Sequence, residues 1–377
     1  MLAGPGLPAA QSAALPAALL MPGQGSQYPG MGTGLYRDLP AFATIIDAVF
    51  QVMVVAGDEL RHDWLAADGG PDGDTEPLLP LNHVSRSQSL LFAIDYALGR
   101  LLVDLGLGPA VMLGHSVGEL AAATLAGVFD LDVAVRFLLR RADHLAGAPA
   151  GGMMAVAACA ADVRPHLRPG TDIGAVNAPR QTIIAGTGAA LRATAAALTQ
   201  AGFTSAPVPS LTPFHSAVLE PVVEVLRGQL TGEPLRAPAI AIVSGYTTHL
   251  LTAAQATDPM YWAHHDVDPV LYWPALESLL ASGSHLLIEC GPGQGLTTLA
   301  RRHPDVRSRR SQVLSLLGSP GQGPDGEADR FAAAVTGLGL SVPMTPATAV
   351  PSARTAATAA AAAVLATGAA RSDRVAF

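Results

Sequence analysis

Short unbroken apolar runs recur along the chain: "AALLM" at 17–21, "PAVML" at 109–113, "AIAIV" at 239–243, "HLLI" at 285–288 and "QVLSLL" at 312–317. Runs of this length, closed by Gly, Ser or a charge, predict strands buried on both faces. Between them the period changes. "PAFATIIDAVFQVM" reads as the first amphipathic helix. Leu91, Ile94, Leu98, Leu101, Leu102 and Leu105 recur at helical spacing from Gln88 on, and "ELAAATLAGV" follows as a further helix. Strand alternating with helix predicts an α/β fold with a parallel sheet. From about 150 to 212 the pieces are shorter. "GMMAVAACA", "DIGAVNA", "QTIIAG" and "TSAPVPS" are strand-like, and "AALRATAAALTQAG" is a helix closed by glycine, which predicts a small subdomain inserted in the larger unit.

The remaining stretches carry less pattern. Residues 66–81 mix Gly, Pro and acids as an exposed loop does, and the Ala/Thr/Pro-rich segment 339–377 reads as a disordered tail. No apolar run is long enough to span a membrane, and the first residues lack the basic start of a signal peptide, so a cytoplasmic location is expected. The chain has no lysine and a net charge of -8, which argues against nucleic-acid binding. Its positive charge gathers in "RRHPDVRSRR", Arg301 to Arg310, either a solvated face or a dock for an acidic partner. Cys159 and Cys290 lack metal-ligand spacing and are expected to be small packed residues.

"GHSVG" at 114–118 fits G-x-S-x-G, a sharp strand-to-helix turn that exposes a serine oxygen. The pattern alone is weak, but a predicted strand precedes it and a predicted helix follows. Ser116 is therefore a candidate nucleophile, with helix-start N–H groups aimed at a developing oxyanion. A serine needs a base. Of 11 histidines, His115 diverges from Ser116 at the turn, and His215 in "SLTPFHSAVLEP" is the better candidate, where the chain re-enters the large unit.

"MPGQGSQYPGMG", "GHSVGELAAATLAGVFDLDVAVRFLLRRADHL", "VNAPRQTIIAG", "TPFHSAVLEP" and "ECGPGQGLTTLARR" occur together and in this order. They resemble the malonyl-CoA:ACP transacylase and polyketide-synthase acyltransferase family, over about residues 18–318. The resemblance implies an α/β-hydrolase-like large subdomain (18–149 and 213–338) with a parallel sheet. A ferredoxin-like small subdomain (150–212) is inserted in it, behind an N-terminal extension (1–17). It implies Ser116 acylated by an acyl-CoA with His215 as base, a main-chain carbonyl at His265 orienting the imidazole, and an oxyanion hole from Gln24 and Val117. One such donor is commonly worth about 3 kcal/mol. The side chain of His265 is expected at an exposed helix end.

Arg141, 25 residues after the serine, matches the position that holds the free carboxylate of dicarboxylic acyl groups. A neutral chain would leave that buried cation unpaired. Arg140 beside it is expected to face solvent. Phe214 and Val117 match malonyl-selective members, although Thr212 and Pro213 depart from the usual lead-in. His115, Gln88 and Asn177 are expected at the substrate pocket. No metal and no tightly bound cofactor are implied. The partners implied are acyl-CoA, malonyl-CoA above others, and an acyl carrier protein docking near Arg301 and Arg302, in fatty acid or polyketide synthesis. The same Ser-His pair would also serve a carrier-to-carrier transferase of larger acyl groups or an acyl-thioester hydrolase. A docking protein with a degenerate site is disfavoured, because Ser116, His215, Gln24 and Arg141 are all present.

Overall fold

The computed structural model describes residues 15–66, 77–318 and 321–342. The expectations for most of the N-terminal extension, the centre of the 66–81 loop and the tail beyond 342 lie outside the described residues. Nine strands are defined among the described residues: β1 (Ala17–Met21), β2 (Val111–Gly114), β3 (Gly151–Val156), β4 (Thr171–Ala178), β5 (Gln181–Thr187), β6 (Ser205–Val208), β7 (Ala241–Val243), β8 (Leu286–Glu289) and β9 (Gln312–Ser315). Five form a sheet in the order β7-β2-β1-β8-β9, every neighbouring pair parallel. Its central strand β1 is buried throughout, as a parallel strand covered by helices on both faces must be.

The order of that sheet decides where a ligand can bind. From β1 the chain builds outward to β2 and β7, then returns to the other side of β1 for β8 and β9. The direction reverses between β1 and β8, and ligands of open parallel sheets sit beyond the carboxyl ends of the strands at such a switch point. Met21 pairs with Gly114, and Leu20 with Glu289. The loops after β1, β2 and β8 therefore emerge side by side at one edge. Those loops are "PGQGS", "HSVG" and "GPGQG".

The second sheet is antiparallel, in the order β4-β5-β3-β6. A short helix, Ala160–Val163 running into Arg164–His166, joins β3 to β4, and the helix Gly188–Gln200 joins β5 to β6. This βαββαβ connectivity with its outer strands second and last is the ferredoxin-like arrangement. The small sheet is tied to the large unit by main-chain hydrogen bonds from β4 to the segment at Val270, which lies in neither sheet. Val176 N–H donates to the Val270 carbonyl at 2.8 Å, and Val270 N–H to the Gly174 carbonyl at 2.9 Å.

Two helix boundaries differ from expectation. A six-residue helix, Thr33–Asp38, precedes Pro40–Met53, and is too short to show an apolar period. The helix expected from Gln88 starts at Val84. Its first turn is polar yet buried, so periodicity misses it: Arg86 donates to the carbonyls of Leu79 at 2.6 Å and Asp63 at 2.5 Å.

Candidate active site

Ser116 sits between β2 and the helix Val117–Leu125 at φ 55° and ψ -121°, a conformation that side-chain-bearing residues rarely adopt. The flanking glycines permit it. A Cβ on Gly114 would lie 2.2 Å from the Glu119 backbone, and one on Gly118 would lie 2.1 Å from the Met21 carbonyl oxygen. Helix and strand thus touch through glycine, which pins the serine at the sheet edge.

His215 reaches Ser116 from the segment that follows the small sheet. Its Nε2 lies 2.9 Å from Ser116 Oγ, and its Nδ1 lies 2.9 Å from the Asp268 carbonyl oxygen. A carbonyl only accepts, so Nδ1 carries the proton and Nε2 offers its lone pair to the serine hydroxyl. Burial pushes the His215 imidazole down to about 3, with the neighbouring His115 and Arg141 adding to the effect. It is neutral, and in the base form, throughout the physiological range.

The carbonyl that meets Nδ1 is that of Asp268, and the expected His265 carbonyl acts on the ring as a further main-chain acceptor that favours its protonated form. The segment His264–Asp266 is a 3-10 turn, and Asp268 lies two residues beyond it, where its oxygen is 2.9 Å from the ring. The His265 carbonyl also accepts from Tyr246 Oη at 3.1 Å. The His265 side chain is not exposed: it is buried and stacked on the Tyr246 ring at 4.0 Å. Beyond it, Tyr261 Oη donates to the buried carboxyl of Glu119, whose other oxygen accepts from Gly245 N–H at 2.7 Å. Burial raises that carboxyl to about 7. Tyr246, Tyr261 and Asp268 belong to no motif in the sequence. The aromatic pair before "HHDVD" is a signal for Tyr261; Tyr246 and a main-chain acceptor leave none.

A chain of amides runs away from the serine loop. Arg141 Nη2 donates to Gln88 Oε1 at 2.7 Å, and Gln88 Nε2 donates to Gln24 Oε1 at 3.0 Å. Among the described residues, the main-chain N–H groups of Gln24 and Val117 donate to no carbonyl, which leaves both free for an oxyanion. Arg141 is buried, while Arg140 faces solvent. However, Arg141 is not a lone cation: its Nε lies 3.2 Å from Asp266 Oδ2, and the two side chains are 2% and 1% exposed. The expectation that a neutral acyl chain leaves Arg141 unpaired does not hold. Phe214 packs in a buried cluster with Val84, Ala142, Leu145 and Leu219, against the helix that carries Arg141.

A cleft of about 550 Å³ lies between the two sheets, lined by Gly23, Gln24, His115, Asn177, Gly293 and Arg302 among others. His115 Nε2 and Asn177 Oδ1 meet across it at 2.9 Å, and Arg302 donates to Gln181 at 3.1 Å. Ser116, His215, Gln24, Gln88 and Arg141 are linked by hydrogen bonds or share these loops. Arg301 stands with Arg302 on the exposed surface beside the cleft. No cluster of His, Cys, Asp and Glu fit for a metal exists among the described residues, and no described helix is long and apolar enough to cross a membrane. Both cysteines are free; Cys290 is buried and Cys159 half-buried.

The family model described as "Acyl transferase domain" matches residues 19–334. One component of the phenolphthiocerol/phthiocerol polyketide synthase of Mycobacterium tuberculosis is 35% identical over 332 residues, which is 87% of this chain and 22% of that protein. Among solved structures, the acyl transferase domain of SpnD in complex with a 2-(pent-4-yn-1-yl)malonyl group superposes with a TM-score of 0.78 at 32% identity, covering 89% of this chain and 79% of that one. An acyl carrier protein S-malonyltransferase from Vibrio cholerae matches at 27% identity and a TM-score of 0.65, covering 82% of this chain and 98% of that one. With its serine elbow, histidine and two-sheet fold, the chain belongs to the acyl transferase domain family and is an acyltransferase.

Proposed function

We propose that this acyltransferase carries a malonyl or related dicarboxylic group from coenzyme A to the phosphopantetheine thiol of an acyl carrier protein, through an ester on Ser116. The observation that carries the reading is the 2.9 Å contact between Ser116 Oγ and a buried, neutral His215 whose other nitrogen is tied to a carbonyl. His215 takes the serine proton as Oγ attacks the thioester carbonyl. Negative charge builds on the carbonyl oxygen, within reach of the free N–H groups of Gln24 and Val117. Collapse expels the CoA thiolate, which takes up the proton held by His215. The carrier thiol then gives its proton to the same nitrogen, attacks the acyl-enzyme and restores Ser116.

Arg141 supports a dicarboxylic group, since a guanidinium fork suits a free carboxylate. Phe214, buried beside the Arg141 helix, supports a small one. The cleft is large enough for an extended pantetheine arm, and its opening beside Arg301 and Arg302 suits an acidic carrier. The chain spans 22% of the length of its mycobacterial relative.

Intact-mass measurement after incubation with a panel of acyl-CoAs tests the reading. A malonyl adduct is expected on the protein, absent in Ser116→Ala and transferable to carrier. Hydrolysis faster than transfer would replace it with the thioesterase reading.

A further inference from the structure

The Arg141 site holds its own anion. Asp266 is buried to 1% exposure beside the Arg141 Nε at 3.2 Å, and neither of its carboxyl oxygens has a hydrogen-bond partner among the described residues. Arg141 is the only fixed cation within ion-pairing distance of it among the described residues. The main-chain carbonyl of Asp266 meanwhile accepts from His215 N–H at 2.6 Å, so the residue is fixed between the base and the arginine. The remaining edge of the guanidinium is partly taken by Gln88. A substrate carboxylate entering this fork therefore arrives at an arginine already neutralised and meets a second carboxylate in a dry site. Like charges brought together without water repel strongly.

We propose that Asp266 is a specificity-determining residue: by serving as the resident counter-ion of Arg141, it narrows the preference for dicarboxylic over neutral acyl groups, so that neutral acyl-CoAs are also loaded. The proposal rests on the acyl-transfer reading above. A neutral acyl chain leaves the Arg141–Asp266 pair intact and removes no partner from either ion. A malonyl group must share Arg141 with Asp266 or displace it. Without Asp266, the buried arginine would lack an anion until a dicarboxylic group supplied one, and selection would sharpen.

The test is the ratio of Ser116 acylation rates, kcat/KM with malonyl-CoA over that with propionyl-CoA, in the wild type, Asp266→Asn and Asp266→Leu. The ratio should rise at least about tenfold in either variant. A residue needed only for packing would slow both donors alike and leave the ratio fixed. Free malonate supplies a readout independent of turnover: it should raise the melting temperature of Asp266→Asn more than that of the wild type. An unchanged or lower ratio, with Ser116 still acylated, overturns the role of Asp266 alone. If no acyl-CoA labels Ser116 in the wild type, the acyl-transfer reading falls, and this proposal with it.

Discussion

The Nδ1 proton of His215 is held by the Asp268 carbonyl, and burial keeps the ring neutral down to about pH 3. The base form therefore persists far below the range of an ordinary histidine. Acylation of Ser116, followed as single-turnover kcat/KM, should stay within about twofold between pH 7.5 and 5.5, where a free imidazole would lose about tenfold. His115 and His265, which flank the site, are also pushed down by burial. A fall centred near pH 6.5 would mean that His215 ionises freely. At this scale the sequence exposes Ser116, His215 and Arg141, whose chemistry is in their side chains and in motifs of fixed spacing. Asp268 acts through a main-chain oxygen that every residue type owns. Asp266 acts through a partner 125 positions away, and nothing in "HHDVD" names that partner.

Glycine decides the fit between β1, β2 and the helix Val117–Leu125. A methyl group at Gly118 would sit 2.1 Å from the Met21 carbonyl oxygen and 2.6 Å from that of Pro22. The Met21 oxygen cannot retreat, since it closes β1, which is paired on both sides, and accepts from His115 N–H. Gly118→Ala should cost about 3 kcal/mol or more in urea unfolding. Gly228→Ala is the control: it lies in the helix Val223–Leu230 with nothing within 4 Å, and should be neutral or stabilising by up to about 1 kcal/mol. Equal effects would mean that the elbow has no special closeness. The buried strands are legible because they are continuous apolar runs. The first turn of Val84–Asp104 is not, because Arg86 is buried by donating to two carbonyls, and a charged side chain scores as surface in any periodic reading.

Across the whole molecule, the loops after β1, β2 and β8 and the exposed Arg302 line one cleft. Arg302 lines it and bonds to Gln181 of the small sheet, and Arg301 stands beside it, exposed. Replacing Arg301 and Arg302 by Glu should raise the KM for an acidic carrier at least about fivefold, by more than it raises the KM for acyl-CoA. The effect should shrink at high salt. Equal changes for both substrates would remove the docking role. The alternation of strand and helix, and the shorter pieces from 150 to 212, make two sheets foreseeable from sequence. How the small sheet is fixed to the large unit is not, because the contact at Val270 is made through main-chain atoms.

That junction makes the cleft resemble a bound book. The segment at Val270 binds one leaf, β4, to the body of the large unit, and this spine runs beside the base: a Cβ on Gly174 would touch the Phe214 carbonyl and the His215 side chain, at 3.3 Å and 3.5 Å. Side chains also cross the opening, His115 to Asn177 next to the nucleophile and Arg302 to Gln181 at the exposed surface. The width of the cleft beside His215 is therefore fixed by backbone, which no side-chain substitution removes, while its width at Arg302 rests on one side-chain bond.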